Sequence, residues 1–213
     1  LLIVPASLLG NWSKEIDKFA PRMTYHILHG KTNILDEDCF ATITTYGMAL
    51  RMECLQERVW DCLILDEAQA IKNPGTKQTR AIKKIPSQMR IAMTGTPIEN
   101  DLSNLWSLFD FLNKGLLGSA TDFKNYTKKV QAYPEYMSKL KMMVSPFILR
   151  RLKTDKSIIS DLPDKMEITE HVDLSKRQIV LYRKEVEKAE DLILESDGME
   201  RRGIVLGLLT RLK

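Results

Sequence analysis

The stretch Trp60 to Gln69, WDCLILDEAQ, most constrains what this chain can fold into, because a short apolar run stops abruptly at two adjacent carboxylates. Cys62 to Leu65 has the continuity of a strand covered on both faces, as in a parallel sheet flanked by helices. Asp66 and Glu67 then stand at the strand's carboxyl end, the edge where open α/β sheets bind ligands. Two carboxylates there suit holding a cation and taking a proton from water, although a strand running out into a solvated acidic turn has the same pattern. A second apolar strand, Met89 to Met93, leads into TGTPIEN, whose small hydroxyl and glycine residues let backbone come close to a neighbouring group. The two loops are therefore expected side by side.

The rest of the chain alternates in the same way. Leu1 to Val4 reads as a buried strand, followed by a helix with Ser7 as N-cap and Leu8, Leu9, Trp12, Ile16 and Phe19 at helical spacing. Strands at Thr24 to His29 and Phe40 to Thr45 flank an acidic loop, and a short helix is expected around Met48 to Gln56. A basic helix spans Thr76 to Ile85, and a helix over Leu102 to Leu112 presents Leu102, Leu105, Trp106, Phe109 and Leu112 on one face, with Asn100 or Asp101 as cap. Short connections between strands and helices predict a parallel sheet. After Gly115 and Gly118 the period is helical, at Asp122 to Val130 and Glu135 to Val144. The block FILRRLK follows, placing Arg150 and Arg151 behind the apolar anchor Phe147, Ile148 and Leu149. Asp161 to Asp164 reads as a linker and Met166 to Val172 as a strand. Ser175 and Gln178 form a capping box opening a long helix through Ile179, Tyr182, Val186 and Ile193. The first residue falls within a strand and the last within a helix, so the chain reads as a piece of a longer protein.

Composition excludes several classes. At 213 residues and 44% hydrophobic content the chain can bury a core, and no apolar run approaches the roughly 20 residues of a membrane span. LLIVPASLLG lacks a basic flank and is broken by Pro5, so it is no signal peptide. Cys39, Cys54 and Cys62 are odd in number and without ligand spacing, which fits reduced thiols. His26 and His29 fall on opposite faces of one strand, which argues against a metal pair. The net charge of +4 is unevenly spread: residues 114–165 carry 11 Lys and Arg against 5 Asp and Glu, whereas the segments before and after are each close to neutral. A local basic patch fits a polyanionic partner and a solvated helical face equally well.

Taken in order, LIVPASLLGNW, TITTYG, LILDEAQAIKN, MTGTPIEN, SPFILRRLK and LSKRQIVLY resemble the Swi/Snf-type ATPases of helicase superfamily two across nearly the whole chain. The resemblance implies a two-lobed RecA-like motor that hydrolyses ATP to move along double-stranded DNA or remodel DNA-bound proteins. Residues 1–113 would be the first lobe lacking its N-terminal part, 114–165 a helical insertion and linker, and 166–213 the truncated start of the second lobe. Asp66 would hold Mg²⁺ through water and Glu67 would polarise the attacking water. Gln69, Thr94, Gly95 and Thr96 would relay the nucleotide state, with a capping side chain and ordinary turn hydroxyls as the plainer readings. Pro5, Ser7, Thr44 and Thr45 match blocks that contact the DNA backbone in this family. Lys72 and Asn73 would do the same or form a solvated loop. Arg150 and Arg151 would contact phosphates or pair internally with Asp155 or Asp161.

DEAQAIKN is similar to bacterial members, implying a bacterial, nucleoid-associated cytoplasm, or a nucleus if the source is eukaryotic. No G-x-x-x-x-G-K-[ST] loop occurs in the 213 residues, nor do the second-lobe motifs with their arginine finger. This chain alone is therefore expected to be inactive, and the missing parts of the same polypeptide become partners it needs. Two alternatives remain: an RNA-directed helicase of the same superfamily, and a catalytically inactive nucleic-acid or protein interaction module.

Overall fold

The structure, a computed structural model, describes residues 1–30, 34–36, 38–95, 102–151, 166, 168–170, 173–194 and 196–212. Two compact units divide it, Leu1–Ile148 and Leu149–Lys213. The divisions at 113 and 165 are those the resemblance implies and partition the chain by lobe, not by compactness.

The first unit contains one parallel sheet of β1 (Leu2–Val4), β2 (Tyr25–Leu28), β3 (Ala41–Thr45), β4 (Trp60–Leu65) and β5 (Ser87–Ala92), in the order β2-β3-β1-β4-β5. Because the connection from β1 crosses towards the edge strand β2 and that from β4 crosses the other way to β5, the order reverses between β1 and β4. That reversal opens a crevice at the carboxyl edge, where ligands of open α/β sheets bind. Register puts Ile3 beside Thr44 and Leu65, and Leu2 beside Ile43 and Ile64. Period-two alternation then separates two cores. On one face Ile3, Leu63 and Leu65 pack with residues of α2 (Tyr46–Arg51), α4 (Lys77–Lys84) and α5 (Leu102–Leu112). On the other, Leu2, Val4 and Ile43 pack against Leu9 and Ile16 of α1 (Leu9–Phe19).

The expectation that β4 is covered on both faces holds for only one of them. Leu63 and Leu65 are fully buried, whereas Cys62 and Ile64 are partly exposed and their β5 neighbours Met89 and Ile91 are exposed. Among the described residues the helix on that face is α1, whose cluster covers β1 and β3 and takes Ile64 of β4 only as a partly buried neighbour. Two local expectations are also corrected. Ser7 does not cap α1: it sits inside a 3₁₀ turn, Ala6–Leu8, and the helix opens at Leu8 without a side-chain cap. The single helix expected over Met48 to Gln56 is two, α2 and α3 (Cys54–Glu57), because Met52 adopts extended backbone between them.

α5 is a sandwiched helix. Leu108 and Phe111 join the sheet core, while Leu105 and Phe109 join Phe123, Leu140 and Val144 of α6 (Ala120–Ala132) and α7 (Pro134–Val144). Ser119 and Asp122 form a reciprocal capping box that starts α6, and Pro134 starts α7 at a position where its missing N–H costs nothing. The basic helices thus belong to the same compact unit as the sheet. The buried Ser107 hydroxyl donates to the Ile71 carbonyl at 2.6 Å and accepts from Lys83, which also pairs with Asp110 at 2.8 Å. Arg90 donates to the carbonyls of Phe111 and Ile85 at 2.8 and 2.9 Å, tying the end of α5 to the sheet.

In the second unit α8 (Lys176–Leu194) packs on α9 (Gly198–Arg211), with Glu185 bonded to both Lys188 and Arg211. The capping box at its start forms as expected, Gln178 Oε1 accepting from the Ser175 N–H at 2.9 Å. Of the strand expected at Met166 to Val172, the described residues 166 and 168–170 belong to no strand. Among the described residues no strand pairs with them, and Met166 and Ile168 are exposed. The linker expected at Asp161 to Asp164 and the caps Asn100 and Asp101 lie outside the described residues. Among the described residues no helix is long and apolar enough to cross a membrane.

Candidate nucleotide site and its flanking turns

Asp66 and Glu67 leave β4 at the crevice beside β1. Four hydrogen bonds fix Asp66. Its N–H donates to the Ile3 carbonyl at 2.9 Å, its Oδ2 accepts from the Trp12 indole N–H at 2.8 Å, its Oδ1 accepts from the Glu67 N–H at 2.9 Å, and its carbonyl accepts from the Tyr46 hydroxyl at 2.7 Å. Glu67 then turns the chain with φ 50° and ψ 52°, left-handed backbone that costs an L-residue roughly 1–2 kcal/mol. It alone does so among the described non-glycine residues. Such strain persists only where neighbours over-determine it, and it clusters at functional sites. Here the Ala68 N–H bonds the Met93 carbonyl at 2.9 Å, and a 3₁₀ turn, Ala68–Ile71, follows.

The loops after β4 and β5 meet as expected. Gln69 Nε2 donates to Glu67 Oε2 at 2.6 Å, and Thr94 Oγ1 donates to Gln69 Oε1 at 2.9 Å. A carboxylate on one side of the amide and a hydroxyl donor on the other fix its orientation. Glu67, Gln69 and Thr94 therefore form a continuous hydrogen-bonded chain from the loop after β4 to the loop after β5, and Gly95 follows it as an exposed residue. Thr96 lies outside the described residues. Among those described, no three His, Cys, Asp or Glu side chains gather as a metal cluster.

Of the residues expected to face DNA, Ser7 is exposed and Pro5 partly so, at the end of β1. Thr44 and Thr45 do not present their hydroxyls. Thr44 is fully buried and donates to the Leu28 carbonyl at 2.8 Å, while Thr45 is 5% exposed and caps α2 by accepting from the Met48 N–H. Their side chains shape the turn, because a β-branched hydroxyl residue at the end of a central strand serves the pleat and the next helix first, so a phosphate contact at this turn would fall to backbone amides. Lys72 and Asn73 are exposed, and Asn73 Oδ1 accepts from the Gly75 N–H at 2.9 Å, an Asx turn that holds the loop. Arg150 and Arg151 are exposed and, among the described residues, join no ion pair. Their apolar anchor is looser than the sequence implied. Phe147 packs edge-on against Phe109 at 6.4 Å but stays half exposed, and Leu149 is 82% exposed. Asp155 and Asp161 lie outside the described residues.

Sequence reasoning missed the two donors to Asp66. Trp12 reads as core from its spacing, and the Tyr46 hydroxyl carries no pattern of its own. The available signal is chemical: a Trp N–H or Tyr O–H drawn towards a core needs a polar partner. Burial and then the charges of Asp66 and Glu67 push the Tyr46 phenol far above its ordinary range, so it stays a donor.

A parallel sheet flanked by helices, with paired carboxylates at its topological switch and a hydrogen-bonded chain to the next strand's loop, has the architecture of a RecA-like lobe. The chain belongs to the SNF2-related domain family, whose model matches residues 1–213. It is 39% identical over 224 residues to YwqA of Bacillus subtilis (strain 168), a candidate ATP-dependent helicase/translocase, covering 100% of this chain and 24% of that protein. The human SWI/SNF-related matrix-associated actin-dependent regulator of chromatin subfamily A member 1 is 31% identical over 225 residues, covering 100% and 21%. The Sulfolobus solfataricus SWI2/SNF2 ATPase core in complex with dsDNA superposes with TM-score 0.71 and 43% identity, covering 99% of this chain and 46% of that one. The chain thus spans about a quarter of these curated relatives and under half of the solved core.

Proposed function

We propose that this chain is part of an ATP-dependent double-stranded DNA translocase, in which it supplies the acidic half of the nucleotide site and part of the DNA track. The observation that carries the reading is Asp66 and Glu67 at the switch crevice, each held by a different set of neighbours. Asp66 is the metal-side carboxylate. Both of its oxygens already accept one bond, each keeps further acceptor capacity, and the group is part-exposed, which suits a Mg²⁺ ion that retains several waters and takes one or two carboxylates. Bound there with ATP, Mg²⁺ would neutralise charge on the phosphates. Glu67 is the base that accepts the proton of the attacking water, and the strained corner with its Gln69 bond keeps its carboxylate from wandering. Gln69, Thr94, Gly95 and Thr96 pass the state of that carboxylate to the end of β5. Residues 1–113 act as first-lobe machinery, 114–165 as the insertion and 166–213 as the start of the second lobe.

DNA phosphates are contacted, without reading of bases, by the exposed Pro5 and Ser7 turn, Lys72 and Asn73 of the first unit and separately by Arg150 and Arg151 of the second. The exposed lysines of α6 and α7, including Lys124, Lys128, Lys139 and Lys141, add positive potential. A DNA-bound protein is the remodelled partner. The direct test is ATP hydrolysis by the full-length protein with and without duplex DNA. Stimulation by duplex supports the motor, stimulation by RNA alone supports the RNA-directed alternative, and no hydrolysis supports an inactive interaction module. For the arginines, Arg150→Ala/Arg151→Ala in the full-length protein is expected to lower the slope of log affinity against log salt by about 0.9 per lost phosphate contact, with an unchanged thermal melt. An unchanged slope with a lowered melting temperature assigns both to the scaffold.

A further inference from the structure

We propose that Trp12 and Tyr46 are positioning residues that tie two turns at the carboxyl edge of the sheet to Asp66, so that DNA on those turns sets the orientation of the metal-side carboxylate. The proposal rests on the motor reading above. Three placements support it. The exposed 3₁₀ turn Ala6–Leu8 runs without a break into α1, and Trp12 lies in the first turn of that helix. Its ring packs on the core under α1 while its N–H reaches Asp66 Oδ2 at 2.8 Å. A displacement of the turn is therefore carried by a rigid helix to one carboxylate oxygen. Tyr46 opens α2 directly after the capping Thr45, is 7% exposed, and donates to the Asp66 carbonyl at 2.7 Å. Its neighbour Gly47 is exposed at the same edge.

Both donors act on a residue 54 and 20 positions away in sequence respectively, from the helices that follow β1 and β3. The Trp12 bond occupies one lone pair of Oδ2 and restrains rotation of the carboxylate; when it is lost, only the Glu67 N–H bond to Oδ1 still holds the group. The Tyr46 bond restrains the backbone from which that carboxylate hangs. Registration of duplex on the Pro5–Leu8 turn thereby becomes registration of Asp66.

The test uses the full-length protein as wild type, Trp12→Phe and Tyr46→Phe, each retaining an aromatic ring and losing one donor. For each, kcat with and without duplex DNA, KM for ATP, DNA affinity and melting temperature are measured. Trp12→Phe is expected to lower the ratio of DNA-stimulated to basal kcat about tenfold, the size of one net hydrogen bond, with DNA affinity and melting temperature held. Tyr46→Phe is expected to act in the same direction. A readout independent of turnover is ¹⁹F NMR of protein labelled with 5-fluorotryptophan: the resonance absent from Trp12→Phe, or from Trp12→Tyr if the former folds poorly, is expected to shift when duplex is added without nucleotide. An unchanged stimulation ratio, a ratio that falls only together with melting temperature, or a stationary resonance overturns the coupling. A wild type indifferent to duplex overturns the motor reading and the coupling with it, whereas a stimulated wild type matched by an equally stimulated Trp12→Phe overturns the coupling alone.

Discussion

In the full-length protein Glu67→Gln is expected to slow DNA-stimulated ATP hydrolysis by about 10² to 10⁴, the range for losing a positioned base, and to leave nucleotide affinity near wild type. The local geometry tolerates the exchange. Glu67 accepts one side-chain bond, from Gln69 to Oε2, and a glutamine can set its carbonyl oxygen there with its amide nitrogen on the other side. Asp66→Asn is expected to behave differently. Both Asp66 oxygens accept, Oδ2 from Trp12 and Oδ1 from the Glu67 N–H, so an asparagine must turn a donor towards a donor whichever way it sits. It also loses the charge that faces the cation. Weaker Mg·ATP binding as well as slower turnover should follow, read by equilibrium nucleotide binding beside single-turnover hydrolysis. Equal effects of the two substitutions on binding contradict the division of roles.

The second large effect is on stability. Phe111→Ala is expected to cost roughly 3–5 kcal/mol, the usual toll of truncating a buried aromatic, against a total of about 5–15 for a typical domain. Phe111 is fully buried in the core shared with Leu108, Ile82 and Ile85, its ring lies under the Arg90 guanidinium at 4.9 Å, and its carbonyl accepts from Arg90. Removing the ring opens a cavity at the seam where sheet and helical layer are both held by α5. Urea unfolding followed by tryptophan fluorescence measures it, and a loss below about 1 kcal/mol would mean that α5 does not hold that seam.

Much of this architecture is legible in the sequence because each strand is short, apolar and closed by its own turn chemistry. β4 and α5 fall where the pattern places them, and the carboxylates come out at the carboxyl edge since nothing but strand direction decides that. The pattern is blind to a helix buried on two sides. One 3.6-residue stripe on α5 identifies Leu105 and Phe109, while Phe111 and Ser107, buried against the other layer, fall outside it. It is blind too to what a hydroxyl does once folded, so Thr44 and Thr45 read as phosphate contacts although burial and a helix cap claim both. Contacts such as Trp12 with Asp66, 54 residues apart, come from topology and leave no local mark.

On the proposed function, the site at Asp66 and Glu67 powers movement along intact duplex. The most direct measurement of that movement is displacement of a triplex-forming third strand from duplex DNA by the full-length protein with ATP, with separation of the duplex strands scored in the same reaction. The expected result is ATP-dependent release of the third strand, no strand separation, and loss of release in Glu67→Gln. Hydrolysis stimulated by duplex without release of the third strand, or release that survives Glu67→Gln, would contradict it.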